Sequence, residues 1–454
     1  MRPITSETPL ANRQSQFSLR HAASFLCSLE IWPVAGIIAA SVVFPRLLPV
    51  AVGIAAAFWV IRWAGTGRLS LRTPADWSIT LLLLMVPVTL WATALPEDTV
   101  PQVYRLLTGV ALYYAVVNWS ATQARLRLLV YGLLSTGLAL AAFAPFSVLW
   151  PSSGKLPFVP DALYERFSLL VSDAVHPNVM AGYLVYLLPL AAGILLFGWR
   201  RLSRLQRILF AAVLIVMSAI LFLTKSRGAW MALGAFFLLL VILRWRWGWL
   251  VFAAVLAGGI VVFSSLGIRP VLDALSSSDT ISGIDGRVEI WSRAVYMIQD
   301  FPFTGIGIGS FTRVADTLYP FFLAAPGSIM HAHNLFLQLA VDLGLPGFIA
   351  WLAAYFLVIA AAWQVYRRGR QIQDGWIAGV GAGLLGSQLA LAVHGITDAV
   401  IWGMVRPAPL IWALWGLAIA AWYVYVYSSQ VFSPLPELGE GQGVRATVGK
   451  LRPP

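Results

Sequence analysis

Apolar runs of about twenty residues recur along the chain, and they limit the possible folds more than any other feature. An α-helix of that length crosses the hydrocarbon core of a bilayer, which is about 30 Å thick. The composition points the same way, because 59% of the residues are hydrophobic and only 11% are charged. A soluble domain carries about 25% charged residues. The sequence therefore predicts an all-α polytopic membrane protein.

The apolar pattern predicts about twelve spans. The tenth run is long and is interrupted at Gly344-Leu345-Pro346-Gly347, which predicts a short helix followed by a true span. The division between the first two spans at Pro45-Arg46 is open. The predicted spans lie near 29–44, 47–63, 77–95, 102–119, 126–149, 177–198, 208–224, 228–243, 248–266, 334–365, 376–402 and 407–427.

The arginines form short clusters in alternate connections between the spans. The positive-inside rule places these connections in the cytoplasm, together with both chain ends. The same distribution explains the net charge of +12, so no nucleic-acid partner is expected. The predicted segments are a cytoplasmic tail over 1–28, nine spans over 29–266, a large periplasmic or extracellular loop over 267–333, three spans over 334–427, and a disordered cytoplasmic tail over 428–454.

The cysteine content and the N-terminal sequence limit the cysteine chemistry and the processing that we expect. The single cysteine, Cys27, leaves no disulfide framework and no cysteine metal cluster. The first thirty residues lack the short apolar core and small-residue cleavage site of a signal peptide, so we expect the first span to be retained.

The predicted outer loop contains an amphipathic helix, GRVEIWSRAVYMIQD, which ends before Pro302. Ile290, Trp291, Ala294, Val295 and Ile298 recur at helical spacing and form its apolar face. Arg287 extends this face by one turn, either as a ligand-binding group or as an arginine that snorkels to lipid headgroups. The glycines of the following TGIGIGSF segment indicate tight turns, because no βαβ pattern surrounds them.

The segment HAHNLFLQLAVDLGLPG begins at His331 and carries the signals of a helix start and stop. Asn334 is a good N-cap, and Gly344 is suited to end the helix. His333 then stands just outside a helix N-terminus, where the partial positive charge favours a neutral imidazole that accepts a proton. The alternative is a surface histidine without a ligand. In a helix or a strand, the side chains of His331 and His333 would point to different sides, so we do not expect them to line one pocket.

Other ionisable groups are predicted at the same outer level: Arg105, Arg227, His394 and Asp398. Such groups are candidates for function, with snorkelling arginines and a satisfied His394–Asp398 pair as the structural alternatives. The cytoplasmic half of the spans is almost free of ionisable groups, which favours chemistry at the outer surface over transport. Arginine forks suit a diphosphate, and the scattered acidic residues predict no metal site.

Several blocks resemble the O-antigen ligase and O-antigen polymerase superfamily of bacterial membrane glycosyltransferases. His333-Asn334, nine residues, and then Gly344 and Gly347 match the HN-x9-GxxG motif. The block DGRVEIWSRAVYMIQDFPFTGIGIGSF is similar to the family's Arg-Trp helix and glycine loop. KSRGAW is similar to its Ser-Arg-Gly segment, and HPNVMAGY is similar to its Pro-Asn start of a span.

The resemblance implies a GT-C-type, inverting enzyme of the plasma (inner) membrane that needs no metal and no cofactor. It implies transfer of a glycan from undecaprenyl diphosphate to lipid A-core, another envelope glycolipid or a polysaccharide, on the periplasmic side and in contact with membrane lipids. His333 would be the general base, and Arg227 and Arg287 would bind the diphosphate. The chemical argument adds Arg105 to the diphosphate site. The supporting residues are His331, Asn334, Gly344, Gly347, His394 and Asp398.

The chain departs from the family pattern at His331, a second histidine, and at Asp342, where glutamate is frequent. Two other functions stay open. One is a polymerase of the same superfamily, and the other is a small-solute transporter of the bicarbonate-transporter type. The intact HN motif disfavours the transporter.

Overall fold

The computed structural model describes residues 22–150, 155–157, 159–168, 175–267, 284–403 and 408–427. The described chain is helical, as predicted, and its β-structure is one isolated bridge between Val148 and Val175. Most of the predicted tail over 1–28, the polar run over 268–283 and the predicted tail over 428–454 lie outside these residues.

Sixteen α-helices are described. A short 3-10 helix, Pro45–Leu47, and a short π-helix, Tyr423–Tyr427, adjoin them. The helices are α1 Ala22–Leu29, α2 Ile31–Val43, α3 Leu48–Thr66, α4 Asp76–Ala92, α5 Pro96–Trp119, α6 Gln123–Ser147, α7 Asp161–Ser168, α8 Pro177–Gly198, α9 Arg204–Leu223, α10 Arg227–Arg244, α11 Gly248–Leu266, α12 Ile284–Asp300, α13 Phe311–Leu318, α14 Leu335–Gln371, α15 Gly375–Thr397 and α16 Pro409–Trp422.

Nine of the described helices are long and apolar enough to cross a membrane, or ten if the bent pair α1 and α2 counts as one span. Two further helices occupy predicted spans without meeting that standard. α4 has 17 residues, and the first turn of α5 carries Glu97 and Asp98. Each predicted span therefore has a helix in the described chain, while length and composition support nine or ten crossings rather than twelve.

α15 is the most enclosed of these spans, with 83% of its apolar window buried. It packs against α8, α10 and α14. Glycines permit the closest approach: a Cβ at Gly193 would lie 2.5 Å from the Gly379 carbonyl oxygen, and a Cβ at Gly383 would lie 2.6 Å from the Leu190 Cα. Small residues between helices allow this backbone contact in membrane proteins. The tight packing fixes the end of α15 at Thr397, next to the site described below.

The interruption predicted in the tenth span is confirmed. Gly344 has φ +67° and ψ 178°, which breaks α14 into a short first part and a long second part. Left-handed backbone of this kind favours glycine, because other residues carry a Cβ that clashes. The Leu345 amide at the break donates to the Pro302 carbonyl at 2.7 Å. The break in α14 therefore lies against Pro302, which follows the end of α12.

Outside the spans, α12 and α13 form a second, smaller core. The predicted amphipathic helix is confirmed as α12, and Ile290, Ala294 and Met297 are its buried centre. Val295 was expected on the buried face, but it is 39% exposed. Successive residues of an α-helix are about 100° apart around its axis. The apolar face is centred on Ile290, Ala294 and Met297, and Val295 therefore lies beyond the edge of that face.

Candidate active site

Asp398 lies at the centre of a cluster of histidines. α15 ends at Thr397, and the extended backbone of Asp398 (φ −159°, ψ 160°) turns its side chain out of the helix. The carboxylate is 5% exposed and accepts the Ala399 amide at 2.8 Å. Its Oδ1 atom lies 3.6 Å from His331 Nε2 and 3.8 Å from His333 Nδ1. Burial favours the neutral acid, but the two imidazoles outweigh it and hold the Asp398 pKa well below its usual range.

His331 and His333 face each other, contrary to the sequence prediction. Their ring centroids are 4.3 Å apart, with an angle of 52° between the planes. The prediction was wrong because it assumed a helix or a strand. His333 instead has φ +46°, a left-handed conformation that L-residues adopt rarely. This turn brings both imidazoles to the same side of the chain, beside Asp398.

Asn334 is the N-cap of α14, as predicted. Its Oδ1 atom accepts the amides of Phe336 at 3.0 Å and Leu337 at 3.1 Å. Its side-chain amide donates to the Ile396 carbonyl at 3.1 Å. Asn334 therefore joins the start of α14 to the end of α15 and holds His333 opposite Asp398.

The hydrogen bonds of His331 define its protonation. The His333 amide donates to His331 Nδ1 at 3.1 Å, so Nδ1 carries no proton. Burial, helped by the neighbouring His333, lowers the pKa of His331 to about 4. The ring is therefore neutral at pH 7, and its single proton is on Nε2, directed at Asp398.

Arg287 of α12 reaches the same place from the second core. Its Nη1 atom donates to the Thr397 carbonyl at 2.8 Å. Burial lowers the pKa of the guanidinium, and the nearby Asp398 charge opposes that shift. The structure thus brings Arg287 to the residue that precedes Asp398, rather than leaving it at a lipid surface.

Arg227 begins α10 and adjoins the same end of α15. A Cβ at the next residue, Gly228, would collide with Thr397 Oγ1, so the first turn of α10 packs directly on Thr397. Arg227 Nη1 is buried and has no hydrogen-bond partner among the described residues. A buried donor without a protein partner is costly, so this guanidinium is suited to bind an anionic group. The end of α15 at Thr397 is therefore contacted both by the first turn of α10, which begins at Arg227, and by the Arg287 side chain of α12.

His394 does not form the side-chain pair with Asp398 that the four-residue spacing indicated. Asp398 has left the helix, and its amide donates to the His394 carbonyl at 3.0 Å, while the two side chains interact electrostatically without a hydrogen bond among the described contacts. The buried imidazole instead shares a 2.9 Å hydrogen bond between its Nδ1 and the hydroxyl of Tyr186 on α8. Sequence reasoning assigned no role to Tyr186, because a tyrosine within an apolar helix offers no signal for this contact.

His176 is a second residue without a role in the sequence analysis. It is the N-cap of α8, and its Nδ1 accepts the Asn178 amide at 3.2 Å. Burial lowers the pKa of His176, and His333 lowers it further, whereas the charge of Asp398 raises it. His176 therefore interacts electrostatically with both His333 and Asp398. The HPN block was the available signal. Four of the chain's five histidines thus lie around Asp398.

A buried network supports the two loops that carry the cluster. Asp342 is fully buried and accepts hydrogen bonds from Trp402 Nε1 and Gln338 Nε2, each at 2.9 Å. Gln338 Oε1 in turn accepts the Ala332 amide at 2.7 Å. Asp342 thereby connects the residue between the two histidines with the turn that follows Asp398. Gly347 lies across the break in α14, where a Cβ would collide with Leu343.

Arg105 occupies a neighbouring position. Its Nη1 atom donates to Gln102 Oε1 at 3.0 Å and to the Gly403 carbonyl at 3.4 Å, five residues beyond Asp398. The structure places it at this turn, whereas Arg287 binds the Thr397 carbonyl and Arg227 begins the helix that packs on Thr397. Its predicted role in diphosphate binding stays a prediction.

The ligand atoms of His331, His333 and Asp398 lie within 4.8 Å of one another, a spacing that a metal ion could use. The tautomer of His331 argues against this use. Its Nε2 carries the proton, and moving that proton to Nδ1 would set it against the His333 amide donor. Metal binding would therefore break the turn that brings the ligands together.

The fold and the cluster define a polytopic membrane protein with imidazole, carboxylate and guanidinium groups gathered where several helices end. The family model for O-antigen ligase matches residues 212–352, which include Arg227, Arg287, His333 and the HN-x9-GxxG motif. Over this segment the chain is similar to the O-antigen ligase family, and the match supports membership of that superfamily. No curated protein matches it. His176, His394 and Asp398 lie outside the matched segment.

Proposed function

We propose that this protein transfers a glycan from undecaprenyl diphosphate to an acceptor hydroxyl, by an inverting reaction that needs no metal. The match of residues 212–352 to the O-antigen ligase family supports a function of the O-antigen ligase or polymerase type. The donor, the acceptor and the residue roles are part of the proposal. The observation that carries it is the position of His333 opposite Asp398, with Arg287 bound to the adjacent residue Thr397.

His333 is the proposed general base. Its Nδ1 faces the Asp398 carboxylate at 3.8 Å, which leaves Nε2 to take the proton of the acceptor. Enzymes that use histidine with a buried carboxylate follow this logic, because the carboxylate orients the ring and stabilises the imidazolium that forms. A positioned base contributes on the order of 10²–10⁴-fold to a rate. The 32% exposure of His333 leaves a side on which an acceptor can bind.

Arg227 and Arg287 are the proposed ligands of the diphosphate. One donor of Arg287 binds the Thr397 carbonyl, and a guanidinium has five N–H groups. Arg227 brings a buried donor without a partner among the described residues to the same end of α15. Fixed cations at this point would stabilise the charge that develops on the leaving diphosphate.

The reaction balances with these groups alone. The acceptor oxygen attacks the anomeric carbon on the face opposite the diphosphate. The bond between that carbon and the diphosphate oxygen breaks, and its electron pair stays with undecaprenyl diphosphate. The acceptor proton passes to His333 and later to water. A single displacement of this kind inverts the anomeric configuration.

The proposed setting is the plasma membrane, with both termini in the cytoplasm and the site facing the periplasm or the outside. The distribution of arginines between spans supports this orientation. The lipid tail of the donor would lie among the spans and the membrane lipids, and the acceptor would be an envelope glycolipid or a polysaccharide.

The test is transfer by the purified protein in proteoliposomes that contain a labelled undecaprenyl-diphosphate glycan and a candidate acceptor. We expect His333→Ala to abolish transfer while donor binding remains, and the nearby exposed Met330→Ala to transfer like the wild type. Transfer by His333→Ala at the wild-type rate would refute the role of His333 as base.

The length of the product separates the two enzymatic functions. A ligase adds one preassembled glycan to a different acceptor, whereas a polymerase extends the lipid-linked glycan itself. Uptake of a small solute by the same vesicles, without any glycan product, would refute the transferase and support a transporter.

A further inference from the structure

His333 has a backbone conformation that its own residue type does not favour. It is one of three non-glycine residues of the described chain that have a positive φ, and the other two are Lys225 and Gln373. Such a conformation persists only where neighbouring contacts over-determine it. The orientation of the proposed base therefore depends on the residues that hold this turn.

Two side chains hold the turn from its two ends. Asn334 caps the helix that follows and anchors it to the Ile396 carbonyl. On the other side, His331 Nδ1 accepts the His333 amide at 3.1 Å. A side chain that binds the amide two residues later stabilises a tight turn in the way that asparagine and aspartate do in Asx turns.

The imidazole of His331 also contacts both partners of the proposed catalytic pair. It packs on the His333 ring at 4.3 Å and points its Nε2 proton at the Asp398 carboxylate at 3.6 Å. Because His331 is a neutral donor, it does not cancel the negative charge of Asp398. That charge can therefore stabilise the imidazolium that forms on His333. His331 is 19% exposed, against 32% for His333, so it is the less accessible of the two to an acceptor.

We infer that His331 is a positioning residue, which sets the backbone turn and the ring orientation of His333 and takes no proton itself. The inference rests on the proposed role of His333 as the base. It assigns a function to the histidine that lies two residues before His333 of the HN-x9-GxxG motif.

Three substitutions separate the contacts of His331. His331→Ala removes all of them. His331→Phe keeps a ring beside His333 but offers no acceptor to its amide. His331→Asn loses the ring and keeps an oxygen that accepts an amide two residues later. We expect kcat to fall by about 10- to 100-fold in the alanine and phenylalanine variants, with the KM for donor nearly unchanged, because a small misplacement of a reacting group has an effect of this size. The asparagine variant should recover most of that loss.

Added imidazole distinguishes positioning from proton transfer. It should restore activity to His333→Ala, where it replaces the base, and fail to restore His331→Ala. The midpoint of the acid limb of the kcat pH profile should be the same in His331→Asn and in the wild type. Rescue of His331→Ala by imidazole, or a shifted midpoint in His331→Asn, would overturn the inference.

Hydrogen exchange of the His333 amide tests the contact without any assay of transfer. The amide should be protected in the wild type and in His331→Asn, and should exchange about 10-fold faster or more in His331→Ala. Equal exchange in the wild type and His331→Ala would overturn the inference. A wild-type transfer rate in His333→Ala would instead refute the proposed base, so the two failures are distinguishable.

Discussion

Replacement of Asp398 by asparagine separates charge from shape at the centre of the site. The Asp398→Asn side chain would keep an oxygen for the Ala399 amide, which Asp398 Oδ1 accepts at 2.8 Å. It would lose the negative charge 3.8 Å from His333 Nδ1. In the proposed reaction His333 becomes cationic in the transition state, so the variant should bind substrates normally and react slowly.

The structure sets the size of this effect. Two unit charges at that distance interact by about 4 kcal/mol at an effective dielectric constant of about 20. His333 is 32% exposed, and solvent screening reduces the interaction to about 2 kcal/mol. A barrier raised by about 2 kcal/mol lowers kcat by about 30-fold.

The assay is single-turnover transfer in proteoliposomes at saturating donor, with donor affinity measured separately by binding. Thermal unfolding of Asp398→Asn provides the control for folding. A kcat within about threefold of the wild type in a folded variant would refute the argument, because the carboxylate charge would then not stabilise the imidazolium.

Three further predictions concern the arginine, the metal and the pH. Arg287→Lys should lose most activity, because a point charge does not replace a planar fork that binds the Thr397 carbonyl and, in the proposed reaction, also the diphosphate. The exposed Arg313→Lys is the matched control, and equal donor affinity and rate in both variants would contradict the proposed diphosphate binding by Arg287. Prolonged treatment with a chelator should leave transfer unchanged, because the His331 tautomer opposes a metal, and a loss of rate that zinc restores would contradict this. Thermal stability should fall as the pH falls from about 6.5 to about 4, because His331 has a pKa lowered to about 4 in the fold, so the unfolded chain binds the extra proton in that window. This loss of thermal stability should be smaller in His331→Asn than in the wild type. An equal loss in the two proteins would show that groups other than His331 cause it.

Local patterns predicted the helices well, because each helix is decided by its own apolar run and its own ends. The break at Gly344 and the N-cap Asn334 followed from residue types that permit a left-handed turn or accept backbone amides. The amphipathic helix α12 followed from helical spacing, and Val295 alone was assigned to the wrong side. The number of crossings was harder to predict, since α4 and α5 are too short or too polar to decide by composition.

The site itself was only partly predictable. The positions of Arg227, Arg287 and His333 were identified through the motifs that contain them. Their distances to Asp398 and Thr397 depend on the packing of α10, α12, α14 and α15, which lie far apart along the chain. Tyr186 and His176 were missed for the same reason, because each acquires its contact from a helix distant in sequence.

The sequence by itself determined an all-helical membrane protein, the break in its tenth span and the helix N-terminus at which His333 stands. These features are local, so a few neighbouring residues decide them. Only the tertiary structure decided that His331 and His333 share one side of the chain, and that Asp398 leaves its helix to meet them. A positive φ at a histidine and a helix that ends one residue before an aspartate are both held by contacts from other helices, and such contacts leave no periodic pattern in the sequence.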